Sequence, residues 1–241
     1  MPNLSDPVPI SSIPGLNRGL SSADEDTMIE MLGRPREPLT TTCSDDKASA
    51  AVMRLMETRR ITENFRLTGI KPALDSVQSI IAKVKQQNPD LIAQLRTEGM
   101  LCVRHRKPTS GAPSLRISNH SWGTAVDFRL DGQDAPGNTG PNCPRWLAIL
   151  VPFFNQEGWF SGLGFTARDA MHFEVADETI RKWQRDGLLG GEPAREPIVV
   201  AGNQTNGGPD TRPGTGAGAA PPPPSLLAPV TGFFSRIFGH G

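Results

Sequence analysis

The sequence lacks the features that mark several large classes of protein. No stretch reaches the roughly 18 apolar residues that a transmembrane helix needs, although 37% of the 241 residues are hydrophobic. Lysine plus arginine equals aspartate plus glutamate, at 25 each, so no charge excess favours binding to nucleic acid. The first residues contain no basic and apolar leader of the kind that directs secretion. We therefore expect a chain made without a signal peptide, with one globular domain and extended ends.

Cysteine is also scarce. Cys43, Cys102 and Cys143 form no closely spaced pair of the kind that binds zinc. Three cysteines leave one unpaired in any disulfide scheme. The sequence therefore favours reduced or buried thiols over a disulfide framework.

The ends of the chain differ in composition from its middle. Residues 1–20 are rich in proline, serine and glycine, which predicts an irregular arm. Residues 21–192 have the composition of a folded domain, whereas residues 193–224 hold too few apolar groups to offset chain entropy and predict a disordered linker. Residues 225–241 either form an apolar segment that contacts a partner or a membrane surface, or are a tail without a function.

Hydrophobic periodicity predicts an α+β domain in which N-terminal helices pack on a small antiparallel sheet. Apolar residues at helical spacing predict helices that begin near residues 23, 44, 72, 89, 144 and 177. The second is expected to run to about Arg60 and the fourth to near Gly99. A buried strand from Met100 to Arg104 is expected next.

Residues 118–127, SNHSWGTAVD, place a histidine and an aspartate at a short fixed spacing. Gly123 lies between His120 and Asp127 and allows a tight turn. The residues after Gly123 suit a strand that would hold the Asp127 carboxylate rigidly. An imidazole and a carboxylate are ligands that zinc accepts, but a site needs at least a third.

The third ligand is expected from residues 169–174, DAMHFE. His172 lies on an apolar, strand-like run three residues after Asp169. A histidine in such a strand is usually packed or exposed, but an acid at fixed spacing favours a functional site.

These two motifs resemble those of the D-alanyl-D-alanine metallopeptidases of bacteria and phages, the VanX/VanY-type peptidoglycan peptidases. Their zinc fold is shared with lysostaphin and the Hedgehog signalling domain. The family's first signature, Ser-x-His-x-x-Gly-x-Ala-x-Asp, is matched by Ser118, His120, Gly123, Ala125 and Asp127. Its second signature, an acid and then a histidine three residues later, is matched in residues 169–174. The resemblance covers about residues 20–190.

The resemblance implies one Zn²⁺ per chain, bound by His120, Asp127 and His172, with a zinc-bound water as the nucleophile. It also implies that Asp169 is the general base, at a position where most members have glutamate. Arg104 is expected to stabilise the oxyanion of the reaction. The local sequence departs from the family pattern there, so Arg106 is the alternative.

Three further side chains allow a functional and a structural interpretation. Ser118 either binds substrate or is a turn serine. Trp159 either lines the cleft as a substrate-binding residue or packs in the core. Glu174 points to the same side of its strand as His172, where it either orients that ligand or forms a structural salt bridge.

The resemblance predicts a zinc-dependent peptidoglycan peptidase that hydrolyses a peptide bond next to a D-amino acid in stem peptides or cross-bridges. DD-carboxypeptidase, DD-endopeptidase and L-Ala–D-Glu endopeptidase activities are all open. The alternatives are a non-catalytic, zinc-containing module that binds the cell wall and a cytoplasmic D-Ala-D-Ala dipeptidase. Without a signal peptide, we expect a secretion machine or phage lysis machinery to deliver the protein to the cell wall or periplasm.

Overall fold

The computed structural model describes residues 3–36, 38–39, 42–43, 48–107 and 114–190. The chain divides into two units, Met1–Pro197 and Ile198–Gly241, and all the described residues lie in the first. The predicted linker over residues 193–224 and the predicted tail over residues 225–241 lie outside the described part. Among the described helices, none combines the length and the apolar character needed to cross a membrane.

The described residues form helices and small antiparallel sheets, in agreement with the α+β prediction. The strands are β1 (Pro7–Pro9), β2 (Met56–Arg60), β3 (Arg66–Ile70), β4 (Leu95–Gly99), β5 (Ala125–Leu130), β6 (Asn142–Pro144), β7 (Trp159–Ser161) and β8 (His172–Val175). The α-helices are α1 (Glu25–Leu32), α2 (Ala50–Met53), α3 (Lys71–Gln87), α4 (Pro89–Gln94), α5 (Arg145–Gln156) and α6 (Asp177–Arg185).

A four-stranded antiparallel sheet with the order β4-β5-β8-β7 forms the centre of the domain. Phe128 of β5 and Phe173 of β8 lie on one face, are fully buried, and pack with Phe154 of α5. Because side chains alternate along a strand, Asp127 and His172 project from the opposite face. The apolar core therefore fixes which face of the sheet carries the polar groups.

Helix α3 covers this core with one apolar stripe, as its sequence predicts. Pro72 lies in the first turn, where the missing N–H costs no helical hydrogen bond. The buried positions follow helical spacing and are Leu74, Val77, Ile80, Ile81 and Val84.

The N-terminal arm is more ordered than its composition suggests. The sequence predicted an irregular segment over residues 1–20, whereas β1 pairs with β6 in an antiparallel two-stranded sheet. Ile10 and Ile13 are buried in the core. The proline-rich composition was misleading because prolines are tolerated in short edge strands, where few ladder hydrogen bonds are needed.

Two predicted elements are corrected by the structure. Within its described residues, 48–60, the predicted helix over residues 44–60 is helical only at α2, and its last third forms β2, which pairs with β3. The predicted helix ending near Gly99 stops at Gln94, and β4 follows it directly over Leu95–Gly99, whereas the strand predicted from Met100 to Arg104 does not form. In both cases pairing with a neighbouring strand outweighs local helix propensity.

The cysteine prediction is also corrected. Cys43 and Cys102 form a disulfide with their Cα atoms 5.1 Å apart, while Cys143 is free and buried. The two bonded residues are separated by 59 positions, so no local spacing revealed the pair. Cys102 lies between Met100 and Arg104, both of which contribute to the site described below.

We predict that the disulfide-bonded chain has one free thiol, and that this thiol reacts slowly until the chain unfolds. Burial raises the pKa of the Cys143 thiol to about 11, so little reactive thiolate forms at neutral pH. A chromogenic thiol reagent should react slowly with one thiol in the native chain and rapidly with one thiol after unfolding. After unfolding and reduction it should react rapidly with three thiols. Three fast thiols after unfolding without a reductant would contradict the disulfide.

Candidate metal centre

The centre of the site is a cross-strand pair in the four-stranded sheet. Asp127 of β5 lies directly opposite His172 of β8 in the antiparallel register. The Asp127 Oδ1 atom is 2.9 Å from Nδ1 of His172. The two strands thus bring together residues from both sequence motifs.

His120 reaches the pair from a short 3₁₀ turn, residues Asn119–Trp122, that precedes β5. Gly123 ends this turn with a left-handed backbone, at φ 59°. A Cβ atom at Gly123 would lie 2.6 Å from the Cα atom of Gly69, so both the turn and the close approach of the two backbones require glycine. The turn places Nε2 of His120 3.2 Å from Oδ2 of Asp127.

The geometry of the three side chains fits a metal ion. Candidate ligand atoms of His120, Asp127 and His172 lie within 4.8 Å of one another. Ligands about 2.0–2.1 Å from a tetrahedral zinc ion would lie about 3.3–3.4 Å apart, close to the His120–Asp127 distance. The Nε2 atom of His120 is buried and has no hydrogen-bond partner among the described residues. A cation would satisfy this nitrogen, and two imidazoles with one carboxylate are a donor set that zinc accepts.

Hydrogen bonds fix which nitrogen of each histidine faces the centre. Nδ1 of His120 is 3.0 Å from the carbonyl oxygen of Met100, which leaves Nε2 for the metal. Nε2 of His172 is 3.0 Å from Oε2 of Glu174, which leaves Nδ1 for the metal. Partners of this kind set the tautomer and the ring orientation of metal-binding histidines.

The electrostatics of the site reflect mutual attraction among its side chains. Burial opposes charge on the Asp127 carboxyl, but the electrostatic attraction of the two imidazoles outweighs it and holds the pKa of Asp127 well below its usual range. Burial likewise opposes charge on His172, but bonds to Asp127 and Glu174 raise its pKa to about 10. A metal ion would therefore replace a proton at the His172 ring.

Asp169 adds a second carboxylate beside the triad. It lines a cavity of about 510 Å³ together with all three candidate ligands. Its Oδ1 atom is buried without a hydrogen-bond partner among the described residues. Burial raises the pKa of the Asp169 carboxyl, and the nearby negative charge of Asp127 acts in the same direction. A carboxyl group in such surroundings is suited to accept and return a proton.

Four cationic side chains line the same cavity: Arg104, Arg106, Lys107 and Arg168. Burial lowers the pKa of Arg104, while the charges of Asp127 and Asp169 act in the opposite direction. The charge of Arg106 instead acts on Glu174. Arg104 therefore interacts electrostatically with Asp127 of the triad and with Asp169.

The remaining sequence-predicted residues separate into two groups. Ser118 and Glu174 line the cavity, and Ser118 accepts a backbone hydrogen bond from Ser121 through its carbonyl. Trp159 does not line it: the ring is fully buried, packs against Phe154, and donates its indole N–H to Ser76. The expectation of a substrate contact at Trp159 is therefore replaced by core packing.

Sequence reasoning missed two residues that touch this network. The Ser22 hydroxyl donates to Oε1 of Glu174, and the Asn119 side chain donates to Oε2 at 2.8 Å. Asn119 lies inside the first motif, but at a position that the family signature leaves free. Ser22 is 152 residues from Glu174, so only the folded chain brings the two together.

We predict that the purified chain binds about one zinc ion and that His120→Ala or His172→Ala lowers the bound zinc to a small fraction. Removing an imidazole leaves too few protein ligands for a stable site. Elemental analysis after dialysis against zinc at limiting concentration measures the stoichiometry. His105→Ala is the matched control, because His105 is not part of the triad. Equal zinc content in all four proteins would contradict the assignment.

Comparison with known proteins identifies the same part of the chain that carries the candidate metal site. No curated protein matches the chain. Residues 112–175, however, match the family model described as D-alanyl-D-alanine carboxypeptidase. This stretch contains the three candidate ligands, Asp169 and Glu174, whereas Arg104 and Ser22 lie outside it. The match supports the general family of D-alanyl-D-alanine carboxypeptidase-like peptidases for the part of the chain that carries the candidate metal site.

Proposed function

We propose that the chain is a zinc-dependent peptidoglycan peptidase that hydrolyses a peptide bond next to a D-amino acid in stem peptides or cross-bridges. The observation that carries the proposal is the convergence of His120, Asp127 and His172 beside the half-buried carboxylate of Asp169. The family match over residues 112–175 supports the same chemistry. The zinc fold of lysostaphin and the Hedgehog domain is part of this proposal.

The side chains of the cavity divide the reaction between them. When bound, zinc supplies Lewis-acid chemistry that makes a water molecule easier to deprotonate near neutral pH. Asp169 would accept the proton of the attacking water and return it to the leaving amine, so that the C–N bond breaks after the new C–O bond has formed. Arg104 would face the carbonyl oxygen and stabilise its developing negative charge.

The charge of the cavity supports a peptide substrate that carries carboxylates. Four cationic side chains line the cavity alongside the three carboxylates of Asp127, Asp169 and Glu174, and a divalent ion would add further positive charge. Such a cavity attracts anions and orients them as they approach. A free terminal carboxylate is what a carboxypeptidase substrate presents.

The disulfide supports action at the cell wall or in the periplasm. Cys43 and Cys102 are bonded, and disulfides persist in oxidising compartments and are rare in the cytosol. This favours a wall-directed peptidase over a cytoplasmic D-Ala-D-Ala dipeptidase. Delivery by a secretion machine or by phage lysis machinery remains part of the proposal.

We predict that Asp169→Ala lowers the rate of hydrolysis by about 10²–10⁴-fold without loss of bound zinc. The variant keeps all three metal ligands but lacks the group that transfers the proton. Mass spectrometry of defined muropeptides, incubated with zinc-loaded protein, measures the rate and locates the scissile bond. Asp90→Ala, at an exposed position of α4, is the control and should cleave as the wild type does.

The same assay separates the alternatives. Equal rates for wild type and Asp169→Ala would reject Asp169 as the base. Zinc-loaded wild type that retains muropeptides without cleaving them would indicate a binding module. Cleavage of free D-Ala-D-Ala alone would indicate a dipeptidase.

We also predict that Arg104→Met lowers kcat by about 10²–10³-fold, and that Arg106→Met has a smaller effect on kcat. The reason is that the charge of Arg104 acts on Asp127 and Asp169, whereas that of Arg106 acts on Glu174. Steady-state kinetics on the cleaved muropeptide distinguishes the two. A larger loss of kcat in Arg106→Met would transfer the proposed function to Arg106.

A further inference from the structure

The segment over residues 21–33 packs directly behind the candidate metal centre. Ser22 forms a β-bridge with Ala176, just beyond the end of β8. At the other end of the segment, the carbonyl of Gly33 accepts a hydrogen bond of 2.8 Å from the indole of Trp122. Trp122 belongs to the turn that carries His120. The segment is therefore attached at both ends to the elements that present the histidines.

Between these attachments, Ser22 contacts a buried carboxylate. Only 3% of Glu174 is exposed. Its Oε1 atom accepts the hydroxyl of Ser22, and its Oε2 atom accepts the side-chain N–H of Asn119 at 2.8 Å and faces Nε2 of His172 at 3.0 Å. Both oxygens of the carboxylate therefore have partners, which hold it in one orientation.

The orientation of Glu174 determines which nitrogen of His172 is free. The carboxylate at Nε2 accepts the proton of that nitrogen, which leaves Nδ1 as the nitrogen that faces Asp127 and can bind a metal ion once its own proton is displaced. We infer that Ser22 is a positioning residue for the metal centre: its hydroxyl holds Glu174, and Glu174 holds the His172 ring in the metal-binding tautomer.

Loss of the Ser22 hydroxyl would weaken metal binding because the Glu174 carboxylate that it contacts is buried. Without the Ser22 hydroxyl, Oε1 of Glu174 loses its donor in a place that water reaches poorly, and an unsatisfied buried oxygen is costly. Glu174 would turn away to find another donor, and this change weakens its hold on Nε2 of His172. The prediction concerns metal affinity, since Ser22 itself lies behind the ligand and outside the cavity lining.

The test is a zinc competition titration of the full chain against a chromogenic chelator. Ser22→Ala should weaken zinc binding by about 10–100-fold, the usual effect of removing a partner that orients a metal-binding histidine. Ser22→Thr keeps the hydroxyl and should restore most of the affinity. Ser21→Ala is the matched control, because the exposed Ser21 contributes its backbone N–H and carbonyl to Glu178 and Asp177.

A double-mutant cycle separates positioning from general loosening of the fold. Glu174→Gln keeps the size of the side chain but removes the acceptor-only carboxylate, so it should weaken zinc binding at least as much as Ser22→Ala. Adding Ser22→Ala to Glu174→Gln should then cost little more, since both changes act through one group. Fully additive losses, or wild-type affinity in Ser22→Ala, would overturn the inference.

The inference rests on the zinc centre of the proposed function. The titration shows separately whether the zinc centre or the assignment of Ser22 is wrong. Wild type that binds no zinc would overturn both. Wild type that binds zinc, with Ser22→Ala binding equally well, would overturn only the assignment of Ser22. The measurement uses no peptide substrate, so the identity of the scissile bond does not affect it.

Discussion

The antiparallel pairing of β5 with β8 is the constraint on which the candidate site depends. It sets Asp127 opposite His172, while Phe128 and Phe173 point into the apolar core from the other face. A shift of one residue in either strand would reverse its two faces and would bury the polar groups among phenylalanine rings. Core packing therefore fixes the register, and the register fixes two of the three ligands. The turn that carries His120 needs only to approach an existing pair.

The site is costly to bury, and the structure offsets that cost by pairing its groups. His120, His172 and Glu174 are each less than 10% exposed. Groups of this kind are tolerated when each is hydrogen-bonded or paired with an opposite charge. Glu174 is surrounded by donors from three separate parts of the chain, whereas Nε2 of His120 and Oδ1 of Asp169 lack hydrogen-bond partners among the described residues. The unsatisfied atoms lie where metal and substrate would bind, as expected for a functional site.

The candidate ligands could be predicted from the sequence because residues close to each of them in the chain identify them. The spacing of His120, Gly123 and Asp127 specifies a turn and a strand, and an acid at fixed distance singles out His172. The helix α3 was predictable for the same reason. Contacts between distant segments could not be predicted from the sequence. The disulfide, the hydrogen bond from Ser22 to Glu174 and the pairing of β2 with β3 all depend on tertiary structure. Trp159 illustrates the limit, since an aromatic residue beside a glycine turn suits a cleft or a core, and only the folded chain shows that its ring is buried in the core.

X-ray absorption spectroscopy at the zinc edge of the zinc-loaded chain tests most directly whether His120, Asp127 and His172 bind one ion. Coordination by His120, Asp127 and His172 predicts a first shell of nitrogen and oxygen at about 2.0–2.1 Å, with the multiple scattering of two imidazole rings. This result would place both histidines on one ion, together with the carboxylate between them. A shell containing sulfur at about 2.3 Å, or one without imidazole scattering, would contradict the central claim that the two motifs converge on a metal.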